Sequence, residues 1–283
     1  MRKATALYLI LMLAWTPGND RDPKFMVITL DDLPIVLNGS TSKEMQEQIF
    51  HDILEVLDRH HVQTAGFVVG KKLTDPYHHR LLQAFADHGH TIANHTQHHP
   101  DLNKIAVEDY LQDILAGEKT IAPYVNAGKN KYFRYPMLHR GDRETKRDSV
   151  YRFLENRGYT IATVSIDNDE YTYNIPARKA FTAGDSSRLQ EIGSEYLAHM
   201  EARVTYYSQL SDELLHRRMK QVLLLHMNFL NSRFLDDLLT QLEADGWTFI
   251  SLEEALMDPV YALPDNYIGK RGVGWLERVE INR

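Results

Sequence analysis

The 283-residue sequence contains no cysteine, which excludes disulfide bonds, thiolate metal ligands and a catalytic thiol. It also lacks the G-x-S-x-G, H-E-x-x-H, P-loop and G-x-G-x-x-G patterns. The sequence therefore gives no support for a serine hydrolase, a zincin or a nucleotide-binding protein. Positive charge is not in excess either: the formal net charge is -7, which argues against nucleic acid or an anionic membrane as a partner. The composition, 43% hydrophobic and 25% charged, is that of a globular protein.

No apolar run approaches the length of about 20 residues that crosses a bilayer. Arg2 and Lys3 are followed by an apolar stretch over 4–15 and a polar break. This pattern predicts a secretory signal over residues 1–18, with export to the periplasm or the cell exterior. No clear cleavage site follows, so an uncleaved N-terminal anchor and a buried first helix stay open as alternatives. No other integral membrane segment is predicted.

Seven β-like runs alternate with amphipathic helical patterns along the chain. The runs lie at 25–30, 64–69, 91–94, 131–135, 159–166, 221–226 and 247–251. The helical patterns lie at 42–60, 76–88, 106–121, 142–157 and 231–245, and a further long one begins near Asp185, which is placed to cap it. This alternation predicts an α/β protein with a parallel sheet, closed into a single distorted barrel of about seven strands. We expect one domain over 25–257 and a C-terminal tail, 258–283, packed on the barrel.

Chemically suggestive side chains follow the predicted strands, at the barrel end where chemistry is usually located. Asp31 and Asp32 end the first strand, and His95 and His99 follow the third. One carboxylate and two imidazoles can bind a divalent metal, which we expect to be zinc, although cobalt, nickel or manganese would also suit this donor set. The i, i+4 spacing would place both histidines on one face of a turn. His98 is the alternative ligand.

Three further strand ends carry polar groups. Arg134 could bind a carboxylate in a bidentate manner and orient Asp31, and the backbone N–H of Met137 could face an oxyanion. Asp167 ends one strand and His226 ends another. An imidazolium held by Asp167 would keep its proton, as a general acid requires.

Taken in order, these segments resemble the motifs of the polysaccharide deacetylase family, which is carbohydrate esterase family four with its NodB-homology domain. The matches are Thr29-Leu30-Asp31-Asp32 to T-F-D-D, His95-Thr96-Gln97-His98-His99 to H-[S/T]-x-x-H, Arg134-Tyr135-Pro136 to R-x-P, Asp167-Asn168-Asp169-Glu170-Tyr171 to D-x-x-D-W, and Leu223-Leu224-Leu225-His226 to L-x-x-H. The fourth match departs from the family pattern because Glu and Tyr replace Asp and Trp.

The resemblance implies a deacetylase-type barrel and a role for each matched position. Asp31 would be the general base, His226 the general acid supported by Asp167, and Asp32, His95 and His99 the metal ligands. A substrate-binding wall would be formed by Tyr135, Pro136, Met137, Tyr171 and Leu225.

The expected activity is metal-dependent removal of acetyl groups from an N-acetylated carbohydrate such as a chitooligosaccharide or peptidoglycan. An O-acetyl esterase on xylan-like material, an amidase on a small non-sugar substrate and a non-catalytic carbohydrate-binding barrel remain alternatives. The sequence does not indicate the oligomeric state.

Overall fold

A computed structural model of the chain describes residues 23–36, 41–125 and 130–281. The predicted signal over 1–18 lies outside the described residues. The strands are β1 (Lys24–Leu33), β2 (Ala65–Val68), β3 (Thr91–Asn94), β4 (Lys131–Phe133), β5 (Tyr159–Ile161), β6 (Gln221–His226) and β7 (Trp247–Phe249).

All pairings among these strands are parallel. The sheet runs in the order β5-β4-β3-β2-β1-β6, and β7 pairs with the start of β1. The register aligns Asp31 at the end of β1 with His226 at the end of β6. Because the strands are parallel, their carboxyl ends lie together at one end of the barrel.

The predicted strand over 159–166 is divided in two. Its first part, β5, pairs with β4, whereas Ile166 forms a bridge to Leu223 of β6. The backbone N–H of Ser165 also donates to the carbonyl of Val222 at 3.1 Å. The chain thus crosses from one edge of the sheet to the other and closes the barrel. The prediction of a distorted α/β barrel is confirmed.

Side chains alternate between the two faces of the barrel wall. Met26 and Ile28 pack in the layer between the sheet and the helices, whereas Val27 belongs to a separate cluster with Ala65 and Phe67. A period of two therefore places Thr29 and Asp31 on the same side of β1 as Val27, facing the barrel interior.

The helices are α1 (Lys43–Arg59), α2 (Pro76–Asp87), α3 (Val107–Ile121), α4 (Glu144–Asn156), α5 (Tyr171–Thr182), α6 (Ser186–Leu215), α7 (Phe229–Ala244), α8 (Leu252–Leu256) and α9 (Trp275–Ile281). The five predicted helices are confirmed to within two residues at either end. Asp185 caps α6 as expected, because its carboxylate accepts the backbone N–H of Arg188 at 2.9 Å. The long region after the fifth strand is a pair of helices, α5 and α6, that pack on each other.

The C-terminal segment from residue 258 onward packs into the seam beside β5. Trp275 is only 2% exposed; its backbone N–H donates to the carbonyl of Val164 at 2.8 Å and its indole N–H to that of Val260 at 3.0 Å. Asp265 lies between the guanidinium groups of Arg140 and Arg278. These contacts make the segment an integral part of the barrel wall.

Candidate active site

Asp31 and Asp32 reach the same cavity although neighbouring strand residues normally point to opposite faces. Asp32 adopts a left-handed backbone conformation, with φ 70°. The pairing of β1 with β2 also shifts register between Leu30 and Leu33. This irregularity redirects Asp32 toward the end of the barrel, as bulges beside functional sites commonly do.

His95 and His99 come together through an irregular turn. Thr96 and His99 have left-handed backbones, φ 68° and 58°, and the Thr96 hydroxyl accepts the N–H of His99 at 3.0 Å. The two imidazole centroids are 4.8 Å apart. The expected proximity of the two histidines is present, but it arises from left-handed backbones and not from one regular turn with i, i+4 spacing. His98 does not compete, because its exposed ring pairs with Asp113 at 2.6 Å.

The ligand atoms of Asp32, His95 and His99 lie within 4.8 Å of one another. His99 Nε2 is 3.6 Å from Asp32 Oδ1, a separation that an ion with bonds of about 2 Å can bridge. Asp32 Oδ1 is buried and has no hydrogen-bond donor among the described residues. Nδ1 of His95 donates to the Arg134 carbonyl at 2.8 Å, which leaves the Nε2 lone pair for a metal. The donor set fits a divalent cation.

The charges around Asp32 favour metal binding at neutral pH. Burial raises the pKa of Asp32, but the positive charges of Lys72 and His226 outweigh it and hold the pKa well below its usual range. Burial and the neighbouring His95 lower the pKa of His99 to about 4. The carboxylate is thus ionised and the imidazole neutral, the forms that bind metals.

Lys72 is a site residue that the sequence did not reveal. Its ammonium is 3.4 Å from Asp32 Oδ2 and donates to the Asp32 carbonyl at 2.9 Å. It follows β2 in a short 3₁₀ turn over Gly70–Lys72, and a lysine in such a turn gives no sequence signal.

Arg134 holds Asp31 in place. Its Nη1 donates to Asp31 Oδ1 at 2.8 Å and to the Thr29 hydroxyl at 2.7 Å, and its Nε donates to the Ala162 carbonyl at 3.1 Å. The guanidinium also lies 3.9 Å from the ring centroid of Phe67. The expected orientation of Asp31 by Arg134 is present, but through one N–H instead of a bidentate pair. Asp31 Oδ2 remains directed at the metal ligands, 3.7 Å from His95 Nε2.

The carboxylate that supports His226 belongs to Glu170. Its Oε1 accepts from Nδ1 of His226 at 3.2 Å and from the backbone N–H of His226 at 2.8 Å. Asn228 and Asn231 donate to the same carboxylate, which is 1% exposed. Burial lowers the pKa of His226, but the charge and hydrogen bond of Glu170 outweigh it and raise the pKa to about 9.

The prediction that Asp167 supports His226 is therefore wrong. Asn168 explains the difference: its side-chain oxygen accepts the N–H of Glu170 at 2.9 Å, and its amide donates to the Leu224 carbonyl at 2.6 Å. This turn directs Glu170 toward His226. Asp167 lines the cavity, and burial together with the charge of Asp169 raises its pKa to about 6. The signal that could have found Glu170 is its place as the second acid of D-x-x-D-W.

The site opens into a cavity of about 610 Å³. Its lining includes Asp31, Asp32, His95, His99, Met137, Leu138, His139, Asp167, Asp169, Tyr171, Ile175, Leu224, His226, Arg271 and Gly272. Tyr171, 54% exposed at the start of α5, stands edge-on to His226 with ring centroids 6.0 Å apart. The predicted Tyr171 wall and the position of Met137 agree with this cavity.

Three predicted substrate contacts are not part of the cavity lining. Leu225 is fully buried under the helices, and Leu224 takes its place because alternate residues of β6 face the interior. Tyr135 is buried and stacks on Tyr110, and Pro136 is buried beside it. The left-handed backbone of Met137, φ 56°, lets the chain turn toward the cavity only after the proline.

Comparisons with known proteins agree with this arrangement. The polysaccharide deacetylase family model matches residues 18–159. The peptidoglycan-N-acetylmuramic acid deacetylase PdaA of Bacillus subtilis is 23% identical over 212 residues, which is 75% of this chain and 68% of that protein. A chitooligosaccharide deacetylase of a Bradyrhizobium species is 28% identical over 85 residues, but the match spans only 30% of this chain and 38% of that one. The crystal structure of a CE4 family pseudoenzyme from Bacillus anthracis superposes with a TM-score of 0.58 at 16% identity, covering 83% of this chain and 66% of that one.

Proposed function

The chain belongs to the polysaccharide deacetylase family, and we propose that it is a zinc-dependent hydrolase that removes acetyl groups from an N-acetylated carbohydrate. The observation that carries this proposal is one cavity with three kinds of group. A carboxylate held by an arginine (Asp31) lies beside three candidate ligands for a single metal ion, and a protonated imidazole (His226) lines the same cavity. A base, a Lewis acid and an acid are what hydrolysis of an amide requires.

Each group has a role that follows from its contacts. Zinc bound by Asp32, His95 and His99 would polarise the acetyl carbonyl and acidify water. Asp31 accepts the proton of the attacking water, since Arg134 orients the carboxylate through Oδ1 and leaves Oδ2 facing the cavity. His226 supplies a proton to the departing amine nitrogen.

The oxyanion requires a hydrogen-bond donor, and the acetyl methyl group requires an apolar surface. The backbone N–H of Met137 is proposed to donate to the oxyanion, as donors positioned for a developing negative charge do. Tyr171 and Leu224 form an apolar wall for the methyl group. Asp167 is proposed as a polar group of the cavity that contacts the substrate, not as the partner of His226.

The experiment is acetate release from N-acetylglucosamine oligomers and from acetylated xylan by the zinc-loaded protein. We expect release from the first substrate. Asp31→Asn should keep zinc and lose nearly all turnover, because the base is replaced by an isosteric amide. Asp109→Asn, an exposed change in the first turn of α3, is the matched control. Release from xylan alone would indicate an esterase, and no release despite bound zinc would favour the carbohydrate-binding alternative.

We propose that the protein is exported. Two grounds support this: the sequence pattern of residues 1–18, and a proposed substrate class that includes cell-wall material. Among the described residues, no helix combines the length and apolar character needed to span a membrane. Fractionation of cells that express the full chain, with and without residues 1–18, tests this proposal. A protein that stays in the cytoplasm in both cases would refute it.

A further inference from the structure

We propose that Arg271 is a substrate-specificity residue that binds a carboxylate on the sugar, so that the preferred substrate is an acidic N-acetylated carbohydrate. This inference rests on the proposed function. Arg271 lies outside the region that the family model matches, residues 18–159, and it lines the same cavity as the three candidate metal ligands.

The backbone around Arg271 is fixed by contacts with Asn103, Tyr267 and Met137. The Asn103 amide donates to the carbonyl of Lys270 at 3.1 Å, and the Tyr267 hydroxyl donates to that of Arg271 at 3.2 Å. A Cβ added at Gly272 would lie only 2.0 Å from the carbonyl oxygen of Met137. The side chain of Arg271 therefore projects from a fixed point of the cavity rim.

The guanidinium of Arg271 makes no hydrogen bond or ion pair with any other part of the chain that the structure describes. The other cationic groups around the cavity are engaged: Arg134 with Asp31, Lys72 with Asp32. His139, which also lines the cavity, pairs with Asp101. A planar guanidinium suits bidentate binding of a carboxylate.

The position of Arg271 restricts where that carboxylate sits on the sugar. Gly272 contacts Met137, whose N–H is the proposed oxyanion donor, so Arg271 lies on the side of the cavity where the acetyl carbonyl would bind. A carboxylate at the end of a short ether substituent on the ring carbon next to the acetamido group would be directed to the same side. N-acetylmuramic acid, named in the relative PdaA, has this arrangement.

The test compares two N-acetylated oligosaccharides that differ only in having a carboxylate or its neutral carboxamide next to the acetamido group. We expect the zinc-loaded protein to have a higher kcat/KM for the carboxylate substrate, because its KM is lower. Arg271→Gln should lower kcat/KM for the carboxylate about tenfold, the value of one charge-assisted hydrogen bond, and leave the carboxamide unchanged. Arg271→Lys should restore part of the preference. Lys270→Gln, an exposed neighbour, is the matched control.

Equal values for the two substrates, or an equal loss on both in Arg271→Gln, would overturn the inference. If neither substrate releases acetate, the proposed function fails, but calorimetric binding of the same two saccharides to the zinc-loaded protein still decides the role of Arg271. Tighter binding of the carboxylate that disappears in Arg271→Gln supports it. Equal affinity for both saccharides refutes it.

Discussion

Replacing Glu170 by glutamine should remove the proton from His226 at neutral pH. The pKa of His226 is raised to about 9 from an ordinary value of 6.5, and its imidazole is mostly buried. The difference corresponds to about 3 kcal/mol of interaction in favour of the protonated ring. In Glu170→Gln the opposing effect of burial remains, so we expect the pKa of His226 to fall below 6.5.

This shift sets the pH range of the effect. A raised histidine pKa contributes stability that is complete below pH 6.5, declines between pH 6.5 and 9, and is absent above pH 9. The free energy of unfolding of the wild-type protein should therefore fall across this window by up to about 3 kcal/mol more than that of Glu170→Gln. At pH 8 the protonated fraction of His226 in the metal-free protein should drop from about nine-tenths to about one-thirtieth or less, and the zinc-loaded variant should release less acetate than the wild type.

The assay is an NMR titration of the His226 ring, with denaturant unfolding at pH 6.5 and 9, in protein treated with a chelator. A cation on Asp32 would lower the pKa of His226. The chelator removes that effect, so that the pKa values of wild type and variants differ only through the charges of the protein itself. Asp167→Asn is the matched control, because Asp167 is the residue that the sequence had assigned to this role. An unchanged pKa in Glu170→Gln, or a fall in Asp167→Asn alone, would refute the assignment drawn from the structure.

Three further predictions concern the metal ligands, the contact of Gly272 with Met137, and the C-terminal tail. His99→Ala should weaken zinc binding by more than about 100-fold in equilibrium dialysis, whereas His98→Ala should bind zinc normally; equal losses would contradict the ligand assignment. Gly272→Ala should lower kcat about tenfold or more with zinc affinity unchanged, because the added Cβ would displace Met137, whose N–H is the proposed oxyanion donor. Lys270→Gln, an exposed neighbour, should have little effect, and similar kcat values in both variants would count against this. Removal of 264–283 deletes the buried tail tryptophan and should destabilise the protein by about 3 kcal/mol or more in thermal unfolding, and an unchanged melting temperature would show that the segment is dispensable.

The sequence predicted the elements well because their signals are periodic. Strand runs and helical faces repeat every two or about 3.6 residues, and five helices and the barrel followed from them. The order of motifs also brought Asp31, Asp32 and His226 to one end of the barrel, as the parallel register requires.

What the sequence could not predict depends on turns and on contacts distant along the chain. The choice of Glu170 over Asp167 is made by a side-chain turn at Asn168. The cavity position of Leu224, instead of Leu225, depends on the face of β6 that the barrel encloses. Left-handed backbones at non-glycine residues such as Asp32 leave no pattern in the sequence, because they are imposed by the surrounding fold.

The seam of the barrel is covered by residues that come after β7 in the chain. A nascent polypeptide that has produced β1 to β7 still lacks both Trp275, which fills the seam, and Arg271 at the cavity rim. The same segment of the chain therefore completes both the seam and the rim of the cavity. Partial translation products that end before this segment would have neither a covered seam nor a complete cavity rim.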